Sequence, residues 1–168
     1  MKKFKNRRTL LNELALNIDE QKLKEILQTE EYKLYNAMIT AEGAIRLALE
    51  KCDMGIALTD VVLIGYGRIG KVLAKMLVGM NAHLTIVVRD NLKLMNAKIL
   101  GYNAVLEYDM RNANIIFNTA ENYTFPETTA TIIDLSTGAK QIIDASSLPE
   151  TTATRKEVEY IKSNLTEK

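Results

Sequence analysis

The residues of this chain best suited to chemistry are six in a row, Gly65-Tyr66-Gly67-Arg68-Ile69-Gly70. Three glycines at this spacing suit the grip on a pyrophosphate. The first allows a sharp bend, the second lets backbone N–H groups approach phosphate oxygens, and the third lets a helix pack closely on the preceding strand. A helix that opens at such a turn presents unpaired N–H groups and the positive end of its dipole, which together favour an anion. The expected chemistry is therefore dinucleotide binding by backbone, with Tyr66, Arg68 and Ile69 carried at the same turn.

About 20 residues further on, such a site needs a side chain that reads the adenosine ribose. Val88, Arg89 and Asp90 stand there. A guanidinium binds a 2′-phosphate bidentately, so Arg89 favours NADP. Asp90 keeps NAD open, because a loop turning one residue earlier would bring its carboxylate to a free 2′-hydroxyl. A solvated Arg-Asp turn pair is the plainer alternative. Asn118-Thr119 and Asp134-Leu135-Ser136 follow two further apolar runs, which puts Asn118, Thr119, Asp134 and Ser136 at the edge of the crevice beside the nicotinamide and its ribose. Asn and Ser are also simply common after strands, a reading of equal weight.

No catalytic residue is identified. Cys52 is the only cysteine and His83 the only histidine, which excludes an internal disulfide and a Cys/His metal cluster; no metal is expected. His83 is expected to be structural or exposed. Asp134 and Glu121 are the candidates for a general base, and Lys140 and Arg68 for holding a substrate carboxylate.

The elements that must position these residues are legible from their patterning. Val61–Ile64 is a continuous apolar run, as expected of a parallel strand covered on both faces. Val72, Leu73, Met76 and Leu77 recur at helical spacing after the turn, with Gly79 and Asn81 as the stop. A second strand ends near Val88, a helix spans Leu92–Leu100 with Gly101 closing it, and short strands are expected at Ala104–Leu106, Ala113–Asn118, Thr131–Leu135 and Ile142-Ile143. Arg155–Asn164 reads as a closing helix. Strands alternating with helices predict an α/β fold, a Rossmann-like doubly wound parallel sheet.

Ahead of it, residues 10–35 predict one or two amphipathic helices, with Asp19 as a candidate N-cap and Leu23, Ile26, Leu27 and Leu34 on the apolar stripe. That stripe is expected either to cover the sheet or to form a homodimer face. Thr40-Ala41-Glu42-Gly43-Ala44-Ile45 predicts a further helix with Thr40 as N-cap, ending near Asp53 to Gly55. The organisation expected is a helical extension over 1–38 and an NAD(P)-binding Rossmann domain over 39–168.

Composition sets outer limits. The chain has 168 residues, 47% hydrophobic and 26% charged, with a net charge of +1. These are values of an ordinary globular protein, and the charge gives no case for nucleic acid. Lys2, Lys3, Lys5, Arg7 and Arg8 enclose a single aromatic, Phe4, too little for stacking on bases, and read as a solvated terminus. No apolar run approaches the 18 or so residues of a membrane span, and the basic start is followed by no secretory apolar region, so a cytoplasmic protein is expected.

The TAEGAI segment at Thr40, the glycine turn, Ile116-Phe117-Asn118-Thr119, Ile132-Ile133-Asp134-Leu135-Ser136 and Leu148-Pro149 together resemble the nucleotide-binding half of the family formed by the A subunit of dipicolinate synthase, over about residues 36 to 158. More distantly, the chain is similar to the cofactor domains of D-2-hydroxyacid dehydrogenases and adenosylhomocysteinase. The resemblance implies an NAD(P)-dependent oxidoreductase that removes hydride from dihydrodipicolinate to form dipicolinate, the calcium chelator of bacterial spores, in partnership with a second enzyme subunit. It implies Gly65, Gly67, Arg68 and Gly70 at the pyrophosphate, Arg89 at the ribose, and Asn118, Thr119, Asp134 and Ser136 near the nicotinamide.

Departures from the family fall at the carboxyl edge of the sheet. Ala120-Glu121 replaces the proline after Asn-Thr, the helix before the fifth strand is cut to Asn122–Ala130, and Thr137-Gly138-Ala139-Lys140 and Glu150-Thr151-Thr152 replace glycine-rich stretches. The family's substrate-closing domain is expected to be reduced to the helical segment before Thr40. Two functions follow: an oxidoreductase on a small pyridine dicarboxylate, or a nucleotide-binding regulatory or assembly protein without turnover.

Overall fold

The computed structural model describes residues 20–136, 143–144 and 155–166. Asp19, the basic terminus, Lys140, Leu148-Pro149 and the replacement loops at 137–140 and 150–152 lie outside them.

Six parallel strands form one sheet: β1 (Asp60–Ile64), β2 (His83–Val87), β3 (Ala104–Val105), β4 (Ile115–Asn118), β5 (Thr131–Asp134) and β6 (Ile143–Asp144). Their order is β3-β2-β1-β4-β5-β6. β1 is central, paired with β2 from Asp60↔His83 to Ile64↔Val87 and with β4 from Val61↔Ile115 to Ile64↔Asn118. The order reverses at β1, and such switch points place a crevice at the carboxyl ends of the strands. The α/β class and the parallel Rossmann-like sheet are as expected.

Five helices accompany the sheet among the described residues: α1 (Glu20–Gln28), α2 (Glu30–Lys51), α3 (Arg68–Gly79), α4 (Asn91–Ile99) and α5 (Arg155–Thr166). Alternate residues of β1 face opposite ways. Val61 and Leu63 enter the main core with Ala41, Ala44 and Ala48 of α2, Leu73, Ala74 and Leu77 of α3, and Ala97 of α4. Alanines on α2 and α3 permit close helix approach, and burying the Leu and Ile side chains contributes roughly 1.5–3 kcal/mol each.

Val62 and Ile64 face the other way, against Met110 of a short 3-10 helix (Met110–Asn112), Tyr123 and Phe125. No helix joins β4 to β5, so among the described residues irregular chain covers these side chains, and the shortened helix expected over Asn122–Ala130 is absent. Phe125 precedes Pro126, which disfavours helical backbone, and Thr124, Thr128 and Thr129 add little helix propensity. Thr128 instead donates its hydroxyl to the Met110 carbonyl at 2.8 Å.

Thr40 corrects a second expectation. It is not an N-cap: it lies inside α2, buried, with its hydroxyl bonded to the Asn36 carbonyl at 2.8 Å. The cap is Thr29, whose side-chain oxygen accepts from Tyr32 N at 3.1 Å, with Glu30 and Glu31 in the first turn. A threonine near an acid imitates a helix start, but the packing of Tyr32, Ala37 and Ile39 carries the helix through it. Residues 38 and 39, the expected boundary, therefore sit mid-helix, where α2 passes from one core to another. Tyr32 packs with Leu23, Leu27, Tyr160 and Ile161 in a satellite cluster, whereas Ala41 joins the main core. Part of the stripe expected to be a homodimer face is thus covered by α5 of the same chain. His83 is exposed at the start of β2, beside Asp60 at 3.4 Å. Among the described residues no helix is long and apolar enough to cross a membrane.

If Thr29 caps α2, Thr29→Ala lowers the unfolding free energy by about 1 kcal/mol in urea titration, and Thr29→Asp restores most of it.

Candidate functional site

At the end of β1 the chain turns through Gly65, whose φ of +93° is a region that L side chains rarely adopt. Its N–H donates to the Val87 carbonyl at 2.9 Å, which ties the turn to β2. From the other side, Thr119 donates both its N–H (2.8 Å) and its hydroxyl (3.0 Å) to the Ile64 carbonyl. A Cβ on Gly65 would lie 2.6 Å from Thr119 Oγ1, and one on Gly70 would lie 2.6 Å from the Gly65 carbonyl oxygen. The fold itself therefore requires glycine at both positions.

Gly67 differs. Its φ of −87° is ordinary, and a Cβ there would meet nothing within 4 Å. It is the N-cap of α3 and supplies no side-chain cap, so the leading N–H groups of the helix open onto that space. The dipole of α3 adds positive potential at the same point.

Above the turn is a cavity of about 380 Å³, with Gly67, Arg68, Ile69 and Thr119 on one wall and Leu27, Tyr32, Lys33 and Asn36 of α1 and α2 on the other. Arg68 reaches across to Glu30, with Nε–Oε2 and Nη2–Oε1 both at 3.3 Å. Lys33 Nζ approaches the same carboxylate at 3.0 Å. The Lys33 hydrogen bond, with Arg68 behind it, holds the Glu30 carboxyl below its ordinary value. Ile69 packs against the main core. Tyr66 is buried, edge-on to Tyr102 at 6.1 Å, and burial raises its phenol's pKa.

Arg89 follows the buried Val88 at the end of β2. Its Nη2 donates to the Glu121 carbonyl at 3.0 Å, spanning a cleft of about 50 Å³ lined by Gly65, Lys93, Ala120 and Tyr123. Asp90 serves α4: its Oδ1 accepts from Lys93 N at 2.8 Å and its Oδ2 lies 3.2 Å from Lys93 Nζ. The Lys93 backbone N–H is the main reason its carboxyl is held below the usual value. Both oxygens are occupied, so Asp90 stands as a helix cap beside the cleft.

Asn118, Asp134 and Ser136 come together at the ends of β4 and β5. Asp134 Oδ1 accepts from Asn118 Nδ2 at 2.9 Å, Ser136 N at 2.9 Å and Ser136 Oγ at 2.7 Å. Asn118 also closes a local loop with Ala120, its Nδ2 donating to the Ala120 carbonyl and its Oδ1 accepting from Ala120 N, both at 3.1 Å. All three residues are buried, and their polar atoms bind one another. Thr119 stands apart from this network, beneath the glycine turn.

Sequence reading did not single out Lys93, Lys33, Asn36 or Tyr123. Lys93 had a signal, standing four residues beyond Arg89 in the first turn of a predicted helix. Lys33 and Asn36 had none, since only the fold of α2 over the turn brings them there.

The strand order, switch point and glycine turn define a Rossmann-like α/β fold. The particular likeness is to the A subunit of dipicolinate synthase from Bacillus subtilis (strain 168), 24% identical over 134 residues, which are 77% of this chain and 44% of that protein. The crystal structure of that Bacillus subtilis protein superposes with a TM-score of 0.65 at 20% identity, covering 83% of this chain and 54% of that one. The corresponding structure from Bacillus halodurans gives 0.61 at 20% identity, covering 85% and 58%. L-tryptophan dehydrogenase from Nostoc punctiforme gives 0.50 at 18% identity, covering 67% and 38%. No protein-family model matches the chain. The chain spans about half the length of the dipicolinate synthase proteins it matches.

Because a Cβ at Gly70 would press on backbone, Gly70→Ala lowers unfolding free energy by about 1–3 kcal/mol. Gly67→Ala, facing open space, stays within about 0.5 kcal/mol of the parent in the same urea titration.

Proposed function

We propose that this chain binds a nicotinamide dinucleotide, NADP in preference to NAD, on the Gly65–Gly70 turn. One observation carries the reading: the fold accounts for glycine at 65 and 70 but not at 67, where the side chain is missing toward open space at a helix N-terminus. Close backbone approach to a pyrophosphate explains that glycine.

In this reading Gly65, Gly67, Arg68 and Gly70 meet the pyrophosphate, with Tyr66 and Ile69 fixing the turn from within the core. Arg68 exchanges the Glu30 carboxylate for phosphate. Two exposed side chains hold that ion pair, so breaking it costs about 1 kcal/mol or less. Arg89 and Lys93 receive the 2′-phosphate, while Asp90 is engaged in capping α4 and in its ion pair with Lys93. The Asn118–Asp134–Ser136 network fixes the ends of β4 and β5 as a firm floor beside the nicotinamide, with Thr119 holding the turn. The cofactor, when bound, supplies hydride transfer, and the protein's part is to bind, orient and exclude water.

The likeness to the A subunit of dipicolinate synthase supports a small dicarboxylate as substrate and a second enzyme subunit in partnership. A second reading, a nucleotide-binding protein without turnover, is favoured by the mutual pairing of Asn118, Asp134 and Ser136, which occupies the polar groups at the carboxyl edge.

Calorimetric titration with NADP⁺ and NAD⁺, repeated in the presence of pyridine-2,6-dicarboxylate, tests both readings. Arg89→Ala is expected to weaken NADP⁺ about ten-fold or more and NAD⁺ no more than about two-fold. Equal losses would remove Arg89 from the 2′-phosphate. Mutual tightening between cofactor and dicarboxylate supports the oxidoreductase, and cofactor binding without it supports the protein lacking turnover. Gly67→Val should abolish dinucleotide binding in a folded protein, and retained affinity would sink the placement of the pyrophosphate.

A further inference from the structure

Helix α4 is apolar on two faces. Its inner face packs Ala97 and Leu94 onto the main core. The opposite face carries Leu92, Met95, Ile99 and Leu100, which are 72%, 55%, 76% and 65% exposed. The spacing 92, 95, 99 is one stripe along a helix, a second apolar stripe separated from the inner one by Asn91, Lys93, Asn96 and Lys98.

Ile99 and Leu100, at the end of this surface, form one wall of a groove of about 450 Å³ between α3 and α4 together with Asn96, with Lys71 and Lys75 on the other wall and Tyr66 and Tyr102 between them. Leu92 and Met95 lie outside that lining. Lys71 Nζ sits 5.8 Å from the centre of the Tyr66 ring, which holds that cation at the groove.

The charge around the groove has a single sign. Neither α3, RIGKVLAKMLVG, nor α4, NLKLMNAKI, contains an acidic residue. Elsewhere the chain supplies its own counterions, as in Lys33–Glu30, Arg46–Glu50 and Arg111–Asp109, and on α4 the cap Asp90 pairs with Lys93, outside the groove lining. Among the described residues, Lys71, Lys75 and Lys98 enter no ion pair.

We propose that the groove between α3 and α4 is the docking surface for an acidic amphipathic helix of a partner protein. Its apolar face would cover Ile99 and Leu100 in the groove, with Leu92 and Met95 extending the apolar surface outside it, and its flanking carboxylates would meet Lys71 and Lys75. A furrow between two helices fits a third helix, whereas a membrane surface asks for a protruding apolar face. A second copy is disfavoured because a two-fold axis would set the same cations against each other. This surface lies apart from the glycine turn and from Arg89, so the inference stands whether or not a dinucleotide binds.

The probe is a fluorescent helical peptide of about four turns, with leucines at i, i+3, i+4 and i+7 and glutamates on both flanks. Fluorescence anisotropy should show saturable binding to the full chain that weakens as salt rises. Ile99→Glu, and Lys71→Glu combined with Lys75→Glu, should each weaken it about ten-fold or more, with unchanged thermal unfolding. The same peptide with lysines in place of glutamates should not bind. Absence of binding, equal binding of the lysine peptide, or indifference to these substitutions would overturn the proposal. So would capture of the chain by phosphatidylserine vesicles through Ile99, or a dimer that Ile99→Glu dissociates in sedimentation.

Discussion

The structure depends on one close contact, that between the glycine turn and the residue ending its neighbouring strand. Thr119 binds the Ile64 carbonyl twice, and its hydroxyl occupies the space a side chain at Gly65 would need. Gly70 then rests directly on the Gly65 carbonyl. With both side chains absent, α3 leaves the sheet at the one angle that buries Leu73, Ala74 and Leu77 while turning its N-terminus toward the crevice. Any larger residue would push helix from strand, and the site and the main core would be disturbed together.

The second determinant is what lies over the turn. α2 runs unbroken from Glu30 to Lys51, with its first half in the satellite cluster of α1 and α5 and its second half in the main core. It thereby roofs the cavity with Lys33 and Asn36 and brings Glu30 to Arg68. Glu30, Lys33 and Arg68 are all at least partly exposed, so this charge cluster is held by weak forces and is open to exchange with an incoming anion. The buried Asn118–Asp134–Ser136 network is the opposite case, a set in which Asp134 Oδ1 gathers three hydrogen bonds and ties the ends of β4 and β5 together.

Much of this arrangement was legible in the sequence because it is local. The glycine turn is six consecutive residues, and the strands are short apolar runs bounded by polar ones, so a parallel sheet followed from their alternation with helices. Legibility ended where distant segments meet. Thr119 supports the turn only because β4 pairs with β1, a contact across 55 residues. Thr40 imitated a cap that tertiary packing overrode, and the covering of one sheet face by irregular chain followed from a threonine-rich loop with Phe125 before Pro126. That Asp90 caps α4 turned on a single hydrogen bond from Lys93 N, which no residue pattern before the helix made plain.

Everything proposed for the site rests on the backbone of the Gly67–Ile69 segment as the seat of a dinucleotide's pyrophosphate. Amide-resolved NMR of uniformly ¹⁵N-labelled protein, titrated with NADP⁺, reads that backbone one N–H at a time. The amide resonances of Gly67, Arg68 and Ile69 are expected to shift furthest and saturate together, with Arg89 and Lys93 moving at the same ligand concentration. If the cofactor binds while those three amides stay in place, the pyrophosphate lies elsewhere and the proposed site is wrong.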